Sequence, residues 1–186
     1  MWKRYPFHLV PNYKHHYESE RSYGVIAFSM DCKRVLVIRS KTDTGTKLGF
    51  PQGHANDYES DWEAATRETY EEAGVKVPQD AAIIGNVMFT YPVTYTEANL
   101  DKHLVEMEKR KERPYWNRPG TYIKTVKLYV IKMNIQPTKT EANSVVQEAL
   151  WLNTVTALLE MEDTKSNRLP AMIDAIKMIG GKSMIM

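Results

Sequence analysis

Cysteine is nearly missing from this chain. Cys32 is the sole one in 186 residues, so no disulfide can form within the chain and a reducing compartment is expected. No run approaches the about 20 apolar residues that a membrane span needs, so no membrane partner is expected. The amino-terminal stretch MWKRYPFHLVPNYKHHYESER has no apolar core of a secretory leader and no acid before Glu18. Its basic and aromatic residues would suit a mitochondrial presequence, but Pro6 and Pro11 spoil the amphipathic helix such a segment requires. The expected location is intracellular, the cytoplasm ahead of the mitochondrion. An excess of one charge is also lacking. A formal net charge of +2 gives no ground, by itself, for a nucleic-acid partner. There is no internal repeat, no low-complexity stretch and no signal of an oligomeric state.

What remains, 42% hydrophobic and 26% charged, suits one globular domain with a sizeable core. SYGVIAFSM (22–30) and KRVLVIRSK (33–41) read as β-runs joined at Asp31-Cys32, a hairpin signal. Cys32 is expected there as an ordinary exposed or half-buried thiol, since no catalytic motif surrounds it. His8, His15 and His16 have no metal-ligand spacing and read as surface or packing residues. Lys47–Phe50 reads as a short strand ending at Pro51. A helix over 61–73 follows, with Ser60 as N-cap, Glu63 completing a capping box and Gly74 ending it in the left-handed conformation. Trp62, Ala65, Thr69 and Ala73 make its less polar stripe. Residues 81–95 are β-rich, and Pro92 marks an edge or a bulge. Leu100, Leu104 and Met107 have helical spacing. Residues 121–135 and 145–152 read as strands and 155–161 as a short helix. Pro170 can open a last helix with Met172, Ile173, Ile176 and Ile179 on its apolar side and Gly180-Gly181 at its end. This order predicts an α+β or mixed α/β fold. Residues 1–20 are read as an extension and 21–180 as the domain, with a basic insertion at 96–120.

On the 61–73 helix, Glu68, Glu71 and Glu72 stand at i, i+3 and i+4, so their carboxylates leave the same side. The bland reading of E-x-x-E-E is a solvated acidic face. The chemical reading is a site for a hard divalent cation, which takes oxygen ligands and relieves the repulsion. The wider pattern decides between them. Gly53 is followed by five residues and Glu59, then seven residues to Arg67-Glu68, then Thr69, Tyr70, Glu71-Glu72, Ala73, Gly74 and Val75. This resembles the Nudix box, G-x5-E-x7-R-E-U-x-E-E-x-G-U with U a bulky aliphatic. Thr69 at the first U position is the one departure within it, and it bears on packing beneath the helix.

The resemblance implies a mixed sheet sandwiched between helices and hydrolysis, with Mg²⁺ or Mn²⁺, of a nucleoside diphosphate linked to another moiety. It implies Glu68, Glu71, Glu72 and the Gly53 carbonyl as metal ligands. Arg67 is expected to pair with Glu59 or Glu71 and so hold the ligands in place, and Glu72 is counted with Glu68 and Arg67 in the catalytic set. The general base is open between Glu68 and Glu148, which sits in the strand before Trp151 where several Nudix relatives carry a functional glutamate. An exposed strand glutamate is the alternative reading of Glu148.

Phe50-Pro51-Gln52-Gly53-His54 resembles the F-P-[KQ]-G run of dinucleoside tetraphosphate hydrolases, RNA 5′-pyrophosphohydrolases and decapping enzymes; Gln52 leans toward the RNA-end enzymes. Tyr58-Glu59-Ser60-Asp61 lacks the Gly-Glu usual at the box centre, which blurs the subfamily. Lys47, Gln52 and His54 are the candidate substrate contacts beside the loop. In the insertion, Lys109, Arg110, Lys111, Arg113 and Arg118 surround Tyr115 and Trp116. Cations beside aromatic rings suit a polyphosphate with a stacked base or single-stranded RNA; a solvated helix and a packed loop are the plainer reading. Tyr115, Trp116 and Arg118 are candidate substrate contacts. The substrates expected are (di)nucleoside polyphosphates or the 5′ end of RNA, with a diphosphoinositol polyphosphate, or an RNA-binding or complex-organising role with little activity, as alternatives.

Overall fold

The structure, a computed structural model, describes residues 19–42, 45–56, 58–109, 119–138, 146–164 and 166–180. Their elements run β1 (Ser19–Ser29), β2 (Arg34–Thr42), β3 (Gly45–Gly49), β4 (Gln52–Gly53), α1 (Asp61–Ala73), β5 (Ile83–Tyr95), α2 (Glu97–Lys109), β6 (Gly120–Met133), β7 (Val146–Asn153), α3 (Thr154–Asp163) and α4 (Leu169–Met178). All the strands join one mixed sheet in the order β3-β2-β1-β6-β5, with β4 paired to β1 and β7 to β2. The fold is the expected α+β arrangement with a mixed sheet.

The central strands carry unbroken apolar runs because both sheet faces are covered. Val25–Phe28 and Val35–Leu36-Val37 have no exposed surface. Alternate residues go to opposite layers. Val25, Ala27, Leu36, Ile131 and Met133 pack with Ala64, Ala65 and Ala73 of α1. Ile26, Phe28, Val35, Val37, Leu128 and Val130 pack with Ala157 and Met161 of α3 and Met172 and Ile176 of α4. The result is a helix–sheet–helix sandwich.

The expected β1–β2 hairpin exists, but its register joins Phe28 to Val35 and goes no further. The full-length partner of β1 is β6, in parallel. β2 instead diverges to pair with β3 from Ile38 to Thr42. That divergence opens the space in which β4 reaches β1, at Tyr23↔Gly53 and Gly24↔Gln52. Gly24 permits this approach: a Cβ there would lie 2.1 Å from the Pro51 carbonyl oxygen and 2.7 Å from the Gln52 Cβ.

Three sequence expectations are corrected. Cys32 is buried, at 7% exposure, because its turn is tied to the start of α3: Thr154 donates its hydroxyl to the Cys32 carbonyl and its N–H to the Lys33 carbonyl. Ile173 is exposed, whereas Ala171 and Ala175 face the core with Met172 and Ile176; small residues let α4 approach the sheet closely. On α1, Ala64 is fully buried and Trp62 is only half-buried, its indole standing edge-on to Tyr129 at 5.0 Å. β5 is an edge strand, as Pro92 suggested. No helix among the described residues is long and apolar enough to cross a membrane.

Candidate active site

The loop after β3 and the helix α1 build the site together. Ser60 caps α1 through a complete capping box with Glu63, and Gly74 closes it at φ 72°. The helix is thereby fixed at both ends, and its Glu68 side chain is directed inward. Glu68 is only 5% exposed. Its carboxylate lies against Gly53: a Cβ at that position would be 2.2–2.3 Å from the carboxylate atoms. Only glycine leaves room for the carboxylate there. One turn on, Glu72 Oε2 accepts the Gln52 backbone N–H at 2.9 Å. The glycine loop and the glutamate helix are therefore held in register by the carboxylates themselves.

Arg67 is the hub. It grips Glu59 with a side-on fork, Nε to Oε1 at 2.8 Å and Nη2 to Oε2 at 3.0 Å. Its Nη1 donates to Glu68 at 2.7 Å and to Glu71 at 3.1 Å, and Nη2 donates to the His54 carbonyl at 2.6 Å. Glu59 in turn accepts the Asn56 N–H at 2.8 Å. Burial disfavours the Arg67 charge, but the hydrogen bond to Glu59 and the charge of Glu68 more than offset it and raise its pKa. Both alternatives expected for Arg67, Glu59 and Glu71, are thus realised, with Glu59 the tighter. Tyr58, just before Glu59, adopts φ 69° and is fully exposed. This is the left-handed region that favours glycine, and it falls in the segment where the glycine of the box centre is missing.

A model of the NUDIX domain matches residues 19–150. The chain belongs to the NUDIX family. It is a Nudix pyrophosphohydrolase, an enzyme acting on phosphoric anhydride bonds, and the family typically uses divalent metal ions such as Mg²⁺ or Mn²⁺. No curated protein matches it in sequence. Among solved structures, the bifunctional NMN adenylyltransferase/ADP ribose pyrophosphatase from Francisella tularensis is 14% identical, over 87% of this chain and 41% of that one, with a TM-score of 0.54. A C. elegans Ap4A hydrolase is 16% identical over 85% of this chain and 97% of its own, at 0.48. The E. coli dihydroneopterin triphosphate pyrophosphohydrolase is 15% identical over 80% and 90%, at 0.45. At these identities the likeness concerns the fold.

The structure brings together Gly53, Arg67, Glu68, Glu71 and Glu72 of this Nudix chain. The three helix glutamates do not all converge, however: Glu71 is 55% exposed and turned to Arg67. Among the described residues, no three His, Cys, Asp or Glu side chains stand close enough to enclose a metal ion. The donor set still fits a hard cation. It offers the Glu68 carboxylate in the side-chain space of Gly53 and the Glu72 carboxylate at the adjoining Gln52 N–H. Gln52 is half-buried with its side-chain carbonyl oxygen unpaired, and His54 is buried at 8%. Lys47 is exposed on β3, opposite Ser40. Tyr115, Trp116 and Arg118 lie outside the described residues, as do His8, His15 and His16.

Glu148 is placed elsewhere. It is on β7, opposite Arg39 of β2, and pairs with the Arg39 guanidinium. Arg39 and Glu160, which complete that group, were missed in the sequence. Residues 39, 148 and 160 have no shared local spacing, and each looks like a surface charge on its own.

Proposed function

We propose that this chain hydrolyses a nucleoside diphosphate linked to another moiety, with (di)nucleoside polyphosphates or the 5′ end of RNA as substrates. The carrying observation is the seat of Gly53 on the Glu68 carboxylate, with Glu72 holding the adjoining Gln52 N–H. It sets two carboxylates against the backbone of one loop. Glu68, Glu71, Glu72 and the Gly53 carbonyl would hold Mg²⁺ or Mn²⁺. When bound, such an ion neutralises phosphate charge and acidifies water.

The chain's own residues do the rest. Arg67 fixes Glu59, Glu68 and Glu71, so the carboxylates do not reorganise as charge moves during reaction. Gln52, His54 and Lys47 border the loop where the polyphosphate would lie. In this reading either Glu68 or Glu148 takes the proton of the attacking water. Replacing Glu148 by Gln separates the two: kcat should fall at least about tenfold if Glu148 is the base, and a smaller loss removes it from the mechanism.

The substrate is tested by a panel of diadenosine tetraphosphate, triphosphorylated RNA, capped RNA and a diphosphoinositol, each with Mg²⁺ and with Mn²⁺. The expected result is turnover of at least one of the first three. Turnover of the diphosphoinositol alone would reassign the substrate, and no turnover together with stable RNA or partner binding would overturn the enzymatic reading of this site.

A further inference from the structure

Asp61, Glu68 and Glu72 share one stripe of α1, at i, i+7 and i+11, with Ala64 and Ala65 between them. Ala64 and Ala65 are fully buried against the sheet. Their methyl groups allow a close approach but interlock little with the strands beneath, so the carboxylates decide how the helix sits. Glu68 rests on Gly53 and Glu72 takes the Gln52 N–H, which are the contacts of the site itself. Asp61 is seated on the sheet at the other end of the helix, away from the loop.

Its partners come from two strands. Lys127 of β6 donates from Nζ to Asp61 Oδ2 at 3.2 Å, with its ammonium 4.8 Å from the centre of the Tyr129 ring. Tyr23 of β1 bonds to Asp61 through its hydroxyl. Tyr23 and Lys127 are register partners in the parallel β1–β6 pair, and on the other edge of β1 Tyr23 is the register partner of Gly53. The Tyr23 side chain is 4% exposed and packs with Ala64 and Ala65. It thus lies on the face where the Glu68 carboxylate fills the side-chain space of Gly53. Side chains of directly opposed residues in an antiparallel pair leave the backbone about 5 Å apart. One buried side chain therefore stands beside the Gly53 loop and holds the far end of the helix that serves it. Burial, and then the Asp61 carboxylate, push the Tyr23 hydroxyl above the usual tyrosine range, so it stays a protonated donor.

Asp61 and Glu68 are about 10 Å apart along the helix axis. The Ser60–Glu63 capping box closes the first turn on itself but does not tie it to the sheet. Freed at Asp61, the helix can roll, and the Glu68 and Glu72 carboxylates then move against Gly53 and Gln52. A shift of about 1 Å at a reacting centre can cost about a hundredfold in rate.

We propose that Tyr23 is a positioning residue which, through its hydrogen bond to Asp61, sets the roll of α1 and so the placement of the Glu68 and Glu72 carboxylates on the Gly53 loop. Lys127 braces the same Asp61 from β6. The proposal rests on the reading of that loop and those carboxylates as the metal-dependent centre.

The test joins two measurements. One is Mn²⁺ binding without substrate, followed by the loss of the free-ion EPR signal. The other is kcat and KM, with Mg²⁺, on whichever of the four panel compounds the wild type turns over fastest. The variants are Tyr23→Phe, Asp61→Ala, Asp61→Asn and the Tyr23→Phe/Asp61→Ala double variant. Tyr23→Phe keeps the ring beneath Ala64 and Ala65 and loses only the hydroxyl. It should weaken Mn²⁺ binding about fivefold and lower kcat about tenfold with KM nearly unchanged, at a thermal midpoint close to wild type. Asp61→Ala should do the same, and with the Asp61 side chain 46% exposed it preserves the test if Tyr23→Phe folds poorly. Asp61→Asn keeps an acceptor for the hydroxyl and should recover most of what Asp61→Ala loses. The double variant should lose no more than Asp61→Ala alone. If both single variants keep wild-type Mn²⁺ binding and kcat, or if their losses multiply in the double variant, the positioning role alone is overturned. If the wild type neither binds Mn²⁺ nor turns over any panel compound, the reading of the site falls and the proposal falls with it.

Discussion

Arg67 and Arg39 each hold more than one carboxylate, and their side chains are similarly exposed, at 23% and 25%. Their partners differ in two ways. Those of Arg67 lie within eight residues along the chain, at Glu59, Glu68 and Glu71, and two of them are nearly buried, at 14% and 7%. Those of Arg39 lie more than 100 residues away and stay 44% and 31% exposed. Arg67 therefore compensates two nearly buried charges, Glu59 and Glu68, and Arg39 pairs with charges that water reaches. Both guanidiniums have raised pKa values against the opposing effect of burial, Arg67 through Glu59 and Glu68 and Arg39 through Glu160 and Glu148.

Alanine at each arginine is the sharpest way to break this comparison. Arg67→Ala takes the guanidinium away from two nearly buried carboxylates, Glu59 and Glu68, and should cost about 3–5 kcal/mol in urea unfolding. Arg39→Ala, among half-exposed carboxylates, should cost about 1 kcal/mol or less. Equal losses would mean that both networks serve the same end.

The next effect concerns the loop beside Arg67. Gly24→Ala sets a Cβ against the Pro51 carbonyl, and backbone cannot give way as a side chain tip can. We expect a cost of about 2 kcal/mol and a clear fall in kcat as the Gln52–Gly53 strand shifts. A variant with unchanged stability and turnover would show that the loop does not depend on this close approach.

A smaller effect is expected at the α1 cap. Ser60→Ala should cost about 1 kcal/mol by thermal or urea melting. The Ser60 hydroxyl and N–H hold the Glu63 carboxylate below its usual 4.5. A carboxylate lowered in the folded state adds stability that is complete above the unfolded value and is lost as pH falls through the folded one. Glu63→Gln should therefore flatten part of the decline in stability below pH 4.5; an unaltered decline would exclude the cap as its source. Smallest is Tyr58→Gly. Relief of the left-handed backbone should outweigh the extra freedom of the unfolded chain, a gain of under about 1 kcal/mol.

The same contrast explains what could be read in the sequence. The α1 helix, its Ser60–Glu63 box, its Gly74 end and the Arg67 pairs are set by spacing within a few residues, and all were legible. So were the mixed α+β class and the edge position of β5. Three kinds of feature were not. The parallel β1–β6 pairing joins strands about a hundred positions apart, and Asp31-Cys32 looked like an ordinary hairpin turn. Burial of Cys32 depends on Thr154, which reaches it from the far end of the chain. The Arg39–Glu148–Glu160 group requires a bulge at Gln147 that no local pattern marks. The glutamates proposed as metal ligands lie between these cases. Their helical spacing was visible, but the turning of Glu71 toward Arg67 depends on where the loop carrying Glu59 folds back.

The central claim is that the Gly53 loop and the α1 glutamates form the hydrolytic centre. Its most direct test is turnover of the best panel substrate by Glu72→Gln, with Mg²⁺ titrated from none to saturation. Loss of the Glu72 carboxylate should reduce kcat by about a hundredfold or more and weaken the dependence on Mg²⁺, while the thermal midpoint stays within a few degrees. Wild-type turnover with the same Mg²⁺ dependence would contradict the account.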